Sequence, residues 1–324
     1  MKTWYELTPL DTLFFRGSEP MEAGQSSAAP LFPPPITVIQ GALRTALLRE
    51  RGVTFADYKQ SAVTGDVIDL IGRCGDEAPF SVTALLLKRD GILYSPAPAS
   101  WFIDAGNKPE SAGDYVGKQV ITALSTADDA AGMGIVSSSG PLSLVVARNE
   151  AMPLTGCWVT IALLAQDLVT FGPGDLLTGS ELFTTENRIG IGIDSQRKVV
   201  EGKLYSANHI RLRDGVTMLV ATDKNMGLAG PGLLQLGGEQ RTCRYEQVSQ
   251  NPVFKTVAEP KGYVCLAPLA ANREKLAATV ATHKLSISAG WDLSKGFHKP
   301  SATWFPAGSV FTENLNNACI PLAL

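Results

Sequence analysis

Three consecutive prolines, Pro33-Pro34-Pro35, followed at once by an amphipathic run, constrain this 324-residue chain more than any other feature. Proline fixes φ and has no backbone N–H, so the triplet cannot sit inside a helix but can deliver the chain to the start of one. Ile36, Ile39, Leu43 and Leu47 then recur at helical spacing, which predicts a helix over residues 37–51 with one apolar face. Gln40 and Arg44 fall on another face. Thr37, with Gln40 three residues on, fits a capping box. Ahead of the prolines, WYELTPLDTLFF reads as a strand ending at Arg16-Gly17, and a polar loop follows from Gly17 to Pro30.

Val82 to Leu87, a turn at Arg89-Asp90-Gly91 and Ile92 to Ser95 read as a β-hairpin. Between about 104 and 155 the composition turns to Gly, Ser, Ala and Asp, the mark of a loop-rich insertion. Asn187 to Asp194 and Gly202 to Leu212 suggest a glycine-bearing hairpin. Val216 to Thr222 then reads as a strand, Leu228 to Leu236 as a short helix, and Arg241 to Val248 and Tyr263 to Leu269 as strands. Asn272 to Thr282 reads as a helix and Leu285 to Ala289 as a last strand. That order is the βαββαβ of a ferredoxin-like or RRM-like domain, and the strand, helix and hairpin of the first part are compatible with a second copy. The expected fold is therefore α+β: tandem ferredoxin-like (RRM-like) domains, 1–212 with the insertion and 213–324.

The longest apolar stretch, Trp158 to Ala165, falls well short of the roughly 20 residues that span a bilayer. The opening carries Glu6 and Asp11 and no apolar h-region, so a signal peptide is not expected and the default address is the cytoplasm, with no membrane partner. Five scattered cysteines (Cys74, Cys157, Cys243, Cys265, Cys319) form no C-x-x-C pair and no zinc spacing, and read as buried free thiols. A net charge of −3 argues against a nucleic-acid binder, but its distribution does not. Residues 61–187 hold six Lys/Arg against fifteen Asp/Glu, whereas residues 188–324 hold sixteen against ten. A basic C-terminal part could meet phosphate, and the acidic middle could be solvated loop or a protein-facing surface.

Catalytic signatures are absent. No phosphate-binding G-x-x-x-x-G-K-[ST] loop occurs, and Gly190-x-Gly192 lacks the third glycine of a dinucleotide fingerprint. There is no H-E-x-x-H or G-x-S-x-G, and no carboxylate pair stands out as acid and base. Of the three histidines, His209 and His283 read as structural or surface residues. His298 sits in the basic stretch Gly296 to Pro300, where it could serve RNA cleavage or touch a phosphate. Neither a cofactor nor a metal is expected. What remains are glycine loops flanked by arginine: Arg16-Gly17, Arg188-Ile-Gly190-Ile-Gly192, and Gly237-Gly238-Glu239-Gln240-Arg241. Glycine lets backbone N–H groups approach a phosphate, and arginine supplies the fork that matches it. Lys299 to Trp304 adds charge with a ring that could stack on a base.

Several blocks together resemble a known family. Leu7 to Arg16, Leu31 to Pro35, Gly41-Ala42-Leu43-Arg44-Thr45, Arg188 to Asp194, Leu236 to Arg241, Gly290-Trp291-Asp292-Leu293, Lys299-Pro300 and Pro306 to Val310 are similar to blocks of RAMP-superfamily CRISPR proteins. Among these the chain resembles the third subunit of the Cmr (type III-B) effector complex. The resemblance implies a tandem ferredoxin-like fold without nuclease activity. It also implies a subunit that grips the repeat-derived 5′ tag of the guide RNA (crRNA) and touches the large palm-containing Cas subunit and a backbone RAMP subunit. The residues it nominates for RNA contact are Arg16, Gly17, Arg44, Arg188, Gly190, Gly192, Gly238 and Arg241, with His298 and Lys299 behind them. Two other readings stay open: a guide-processing endoribonuclease of the same superfamily, and a structural adaptor that does not read RNA.

Overall fold

The structure is a computed structural model. It describes residues 2–15, 31–104, 106, 109–122, 151–292, 295–315 and 318–323. The fold is α+β, dominated by antiparallel strands with a few helices. It divides into two compact units, each assembled from separated stretches of chain: 1–90, 180–251 and 287–302 form the first, and 91–179, 252–286 and 303–324 the second. The expected boundary at 212/213 falls inside the first unit, where Val216–Thr222 pairs with two strands that precede it, Thr3–Pro9 and Val82–Arg89.

The first unit is built on strand β1 (Thr3–Pro9). One edge of β1 pairs with Thr242–Gln247, which pairs in turn with Gly232–Gln235; the other edge pairs with Val216–Thr222, which pairs with β2 (Val82–Arg89), every pairing antiparallel. The register puts Tyr5, Leu7, Met218, Val220 and Leu87 on one face, all fully buried, and Trp4, Leu219, Ala221 and Leu86 on the other are buried as well. Helix α1 (Ile36–Glu50) buries Ile39, Ala42, Leu43, Ala46, Leu47 and Leu48, the apolar face that the sequence predicts. It starts one residue early, with Pro35 as N-cap. Thr37 therefore lies inside the first turn, and the expected capping box is not made; Gln40 instead donates to the Phe80 carbonyl at 2.8 Å.

The expected helix over 228–236 is a strand at Gly232–Gln235. Pro231 cannot donate, and the two flanking glycines wrap the Tyr245 ring: a Cβ on Gly232 would lie 2.6 Å from its hydroxyl oxygen, and one on Gly230 2.7 Å from its ring. The Tyr245 hydroxyl donates to Glu50 at the end of α1, and Glu50 also accepts from the Ala229 and Gly230 N–H groups. Removing that charge-assisted donor by Tyr245→Phe is expected to cost about 2 kcal/mol, read as a lower denaturant midpoint with an unchanged slope.

In the second unit, Ile92–Pro96, Cys157–Thr160 and Leu176–Thr178 pair in order, and Trp101–Asp104 lies between Val120–Thr122 and Ala151–Pro153. These last two short strands, with a 3₁₀ turn at Ala112–Tyr115, are the regular structure described within the expected insertion; residues 123–150 lie outside the described ones. A further sheet joins Gly262–Cys265 to Cys319–Leu322 and Val310–Phe311, over a core that includes Leu269, Phe305 and Phe311. The expected helix over 272–282 is shorter, Arg273–Ala277, and strand Thr279–Ala281 follows it. No described helix is long and apolar enough to cross a membrane.

Candidate nucleic-acid interface

Charge gathers in the first unit where a long hairpin meets the chain leaving β1. The hairpin pairs Phe183–Ile193 with Val199–Leu212. Its register places Arg188 opposite Ala207, Glu186 opposite His209 and Thr184 opposite Arg211, so Glu186, Arg188 and Arg211 share one face. Ile189, Ile191 and Ile193 alternate with them and are exposed on the other face. Beyond β1, Leu13 exchanges backbone hydrogen bonds with Ile210 at 2.7 and 2.8 Å, fixing the segment that carries Asp11 along the hairpin.

A second strut comes from the glycine pair. The Gly238 N–H donates to the Phe14 carbonyl at 2.8 Å. Gly237 has φ +87°, and a Cβ there would lie 2.4 Å from the same carbonyl oxygen. Glycine is thus required by both conformation and space. The approach brings the loop carrying Glu239 and Arg241 against Asp11.

Three guanidiniums converge on the Asp11 carboxylate: Arg211 at 3.0 Å, Arg241 at 3.2 Å and Arg188 at 3.3 Å. Each has a second carboxylate at shorter range. Glu186 accepts from Arg188 at 2.8 Å and from Arg211 at 2.7 Å, and Glu239 accepts from Arg241 at 2.8 Å. Beneath them His209 is completely buried, its ring stacked on Phe14 with centroids 5.0 Å apart and its Nδ1 3.1 Å from the Thr12 hydroxyl. Its Nε2 lies 3.3 Å from Glu239 without hydrogen-bond geometry. Desolvation lowers the His209 pKa against the opposing pull of Glu239, so at neutral pH the ring is a neutral plate under the charges.

Partial desolvation pushes the Asp11 pKa up, but the Thr12 N–H, Arg211 and Arg188 outweigh it and hold the carboxyl below its ordinary 3.8. Hydrogen bonds from Arg188 and Arg211 likewise hold Glu186 below 4.5. A carboxyl with a lowered folded-state pKa adds stability that is present above its ordinary value and lost as pH falls through the lowered one. Thermal midpoints are therefore expected to decline as pH falls below about 4.5, and the combined Asp11→Asn and Glu186→Gln variant to show a flatter profile there.

The structure brings together two of the arginines nominated from sequence, Arg188 and Arg241. Gly190 and Gly192 follow Arg188 along its strand, on the same face. Gly238 is a packing glycine whose N–H is already bound to Phe14. Arg44 lies elsewhere: it donates to the Tyr58 hydroxyl and to the Arg73 and Asp76 carbonyls, tying α1 to the loops beyond it. Lys299 is exposed on the strand Phe297–Phe305, which also carries His298. Arg16 and Gly17 lie outside the described residues. Asp11, Glu186, Arg211 and Glu239 complete the cluster and are not among the residues nominated from sequence. No group of three or more His, Cys, Asp or Glu side chains able to hold a metal occurs among the described residues.

The first unit thus sets helix α1 beside an antiparallel sheet and carries three arginines, paired with Asp11, Glu186 and Glu239, on its hairpin and the loop after Gly238. A family model described as CRISPR-associated protein (Cas_Cmr3) matches residues 5–265. The chain belongs to that CRISPR-associated family, Cas_Cmr3. It is similar in structure to a chain of the type III-B Cmr-beta bound to cognate target RNA, with TM-score 0.56 and 19% identity over 96% of this chain and 86% of that one. A chain of the same assembly bound to cognate target RNA and AMPPnP gives TM-score 0.54 and 18% identity over 95% and 85%. At such identities the likeness speaks for the fold alone. No curated protein matches the chain.

Proposed function

We propose that this chain is a non-catalytic RNA-binding subunit of a type III CRISPR effector complex. In this reading it holds the repeat-derived 5′ tag of the guide and bridges the large palm-containing subunit to a backbone RAMP subunit. Membership of the Cas_Cmr3 family supports the assembly. The observation that carries RNA binding is the convergence of Arg188, Arg211 and Arg241 on one small anionic group, which defines a place where guanidinium donors meet at a phosphate-sized point. The strands of the first unit support the finer fold reading. Taking Thr3–Pro9, Val82–Arg89, Val216–Thr222 and Thr242–Gln247 as strands one to four, their sheet order is 4-1-3-2, that of a ferredoxin-like domain; strand Gly232–Gln235, at the sheet edge, takes the second helix's place in chain order only. The tandem arrangement extends that reading to the second unit.

Binding of a guide RNA carrying its repeat-derived tag, followed by fluorescence anisotropy across a salt series, tests this. Affinity is expected to fall linearly on a log–log plot, by about 0.7 in slope for each phosphate neutralised. An affinity indifferent to salt would count against phosphate binding. The buried His209 and the absence of catalytic motifs also predict that the purified protein leaves repeat RNA intact in EDTA. Cleavage abolished by His298→Ala would instead make the chain a processing nuclease.

A further inference from the structure

We infer that Asp11 is a built-in stand-in for a guide phosphate: the Arg188, Arg211 and Arg241 guanidiniums form a receiving site for one phosphodiester, and RNA enters by displacing the Asp11 carboxylate. The inference rests on the RNA-binding reading above and adds a particular subsite to it.

The geometry separates Asp11 from the other two carboxylates. It is the one acid that touches all three arginines, at 3.0 to 3.3 Å, whereas Glu186 and Glu239 hold theirs at 2.7 to 2.8 Å. Asp11 is therefore the longest-range partner of every arginine it meets. Its side chain is 47% exposed, so an incoming anion can reach it from solvent. Glu186 and Glu239 stay behind as anchors. With Asp11 displaced, Arg188 and Arg211 remain fixed by Glu186 and Arg241 by Glu239, and each turns its freed N–H toward the vacated point. Three arginines held in place before the ligand arrives lose little side-chain freedom on binding it.

The local charge explains why an occupant is needed. Among the described residues three guanidiniums face three carboxylates, so their charges balance before RNA arrives. The Asp11 carboxylate, 47% exposed, turns out to solvent as the phosphodiester enters, so the point between the arginines keeps a single negative charge. Without an occupant, the three guanidiniums would face only Glu186 and Glu239, leaving one positive charge uncompensated.

The test is the affinity of the full chain for tag-bearing guide RNA, by fluorescence anisotropy, in wild type, Asp11→Asn, Glu246→Gln and Arg211→Glu. Asp11→Asn keeps the shape and removes the competing charge, so affinity is expected to rise about five-fold. Glu246→Gln makes the same change in net charge at an exposed residue outside the cluster, and less than a two-fold rise is expected. Arg211→Glu is expected to weaken binding at least ten-fold. If Asp11→Asn lowers affinity or leaves it unchanged while Arg211→Glu still weakens it, Asp11 is a strut and this inference fails, although RNA binding at the cluster stands. An equal rise in Glu246→Gln and Asp11→Asn also overturns it, as a general charge effect. If Arg211→Glu leaves affinity unchanged in a protein whose melting curve matches wild type, RNA binding at the cluster itself fails. Should Asp11→Asn melt early, Asp11→Ser, which can still accept from the Thr12 N–H side of the turn, takes its place with the same expected rise.

Discussion

Replacing Arg188 and Arg241 together by glutamate is expected to weaken guide RNA binding about 100-fold at moderate salt, roughly ten-fold for each reversal. Both side chains point at Asp11 from different elements, the hairpin and the loop after Gly238, so together they frame the anion point. Each reversal removes a guanidinium donor from the anion point and places a carboxylate beside Glu186 or Glu239, which adds repulsion to the loss. The signature is a shallower salt dependence as well as a weaker constant: losing two phosphate contacts reduces the log–log slope by about 1.4. Arg44→Ala makes the contrast. Its guanidinium is spent on Tyr58 and the Arg73 and Asp76 carbonyls, so this variant is expected to lose thermal stability and keep the salt slope. A structural adaptor that does not read RNA would show no change in guide retention on reversing Arg188 and Arg241.

The second large effect is on stability. Gly237→Ala is expected to destabilise the fold by about 3 kcal/mol, combining the strain of a side chain at positive φ with overpacking. The added Cβ would meet the Phe14 carbonyl oxygen at 2.4 Å and the Phe15 ring at 2.9 Å, and backbone on both sides is already hydrogen-bonded. Relief requires Phe14 to move, which unstacks His209 and carries Asp11 away from Arg241. Chemical denaturation reads the loss directly. RNA binding by the fraction that remains folded is expected to fall as well, because the two halves of the arginine cluster no longer meet.

How much of this was legible in the sequence depends on whether the governing interactions were local. Helix α1 announced itself because a proline stop and an apolar period of nearly four agree. The strands Thr3–Pro9, Val82–Arg89, Val216–Thr222 and Thr242–Gln247 were each visible as β-branched or apolar runs between turns. Leu228 to Leu236 reads as a short helix, but Gly232–Gln235 is a strand. What decides that segment is non-local: Gly230-Pro231-Gly232 folds around a ring from Tyr245. The division into units was hidden for the same reason, since Val216–Thr222 finds its partners near the start of the chain.

The site shows the same division. Arg188 and Arg241 were found because glycine beside arginine is a local sign of backbone that can approach an anion. Arg211 carried no such sign. Its place on the face of Arg188 depends on a shift of hairpin register between Val199 and Leu204, which no spacing rule supplies. Asp11 was read as one acid in an opening strand, and only the glycine-permitted contact with Phe14 brings it under Arg241. The resemblance nominates Arg44 for RNA contact, whereas the fold bends Tyr58 and the 73–76 loop over it.

The central claim, that the chain holds the tagged end of a guide RNA within a type III effector, is tested most directly in cells that carry the whole system. The protein is affinity-purified from them, the co-purifying RNA is sequenced and the co-purifying proteins are identified. The account predicts guide RNAs sharing a repeat-derived 5′ end, recovered with a large palm-containing subunit and a backbone subunit. It also predicts that this recovery falls sharply in the Arg188→Glu, Arg241→Glu variant. Recovery of the partner proteins without guide RNA, or equal guide recovery by wild type and the double reversal, would contradict it.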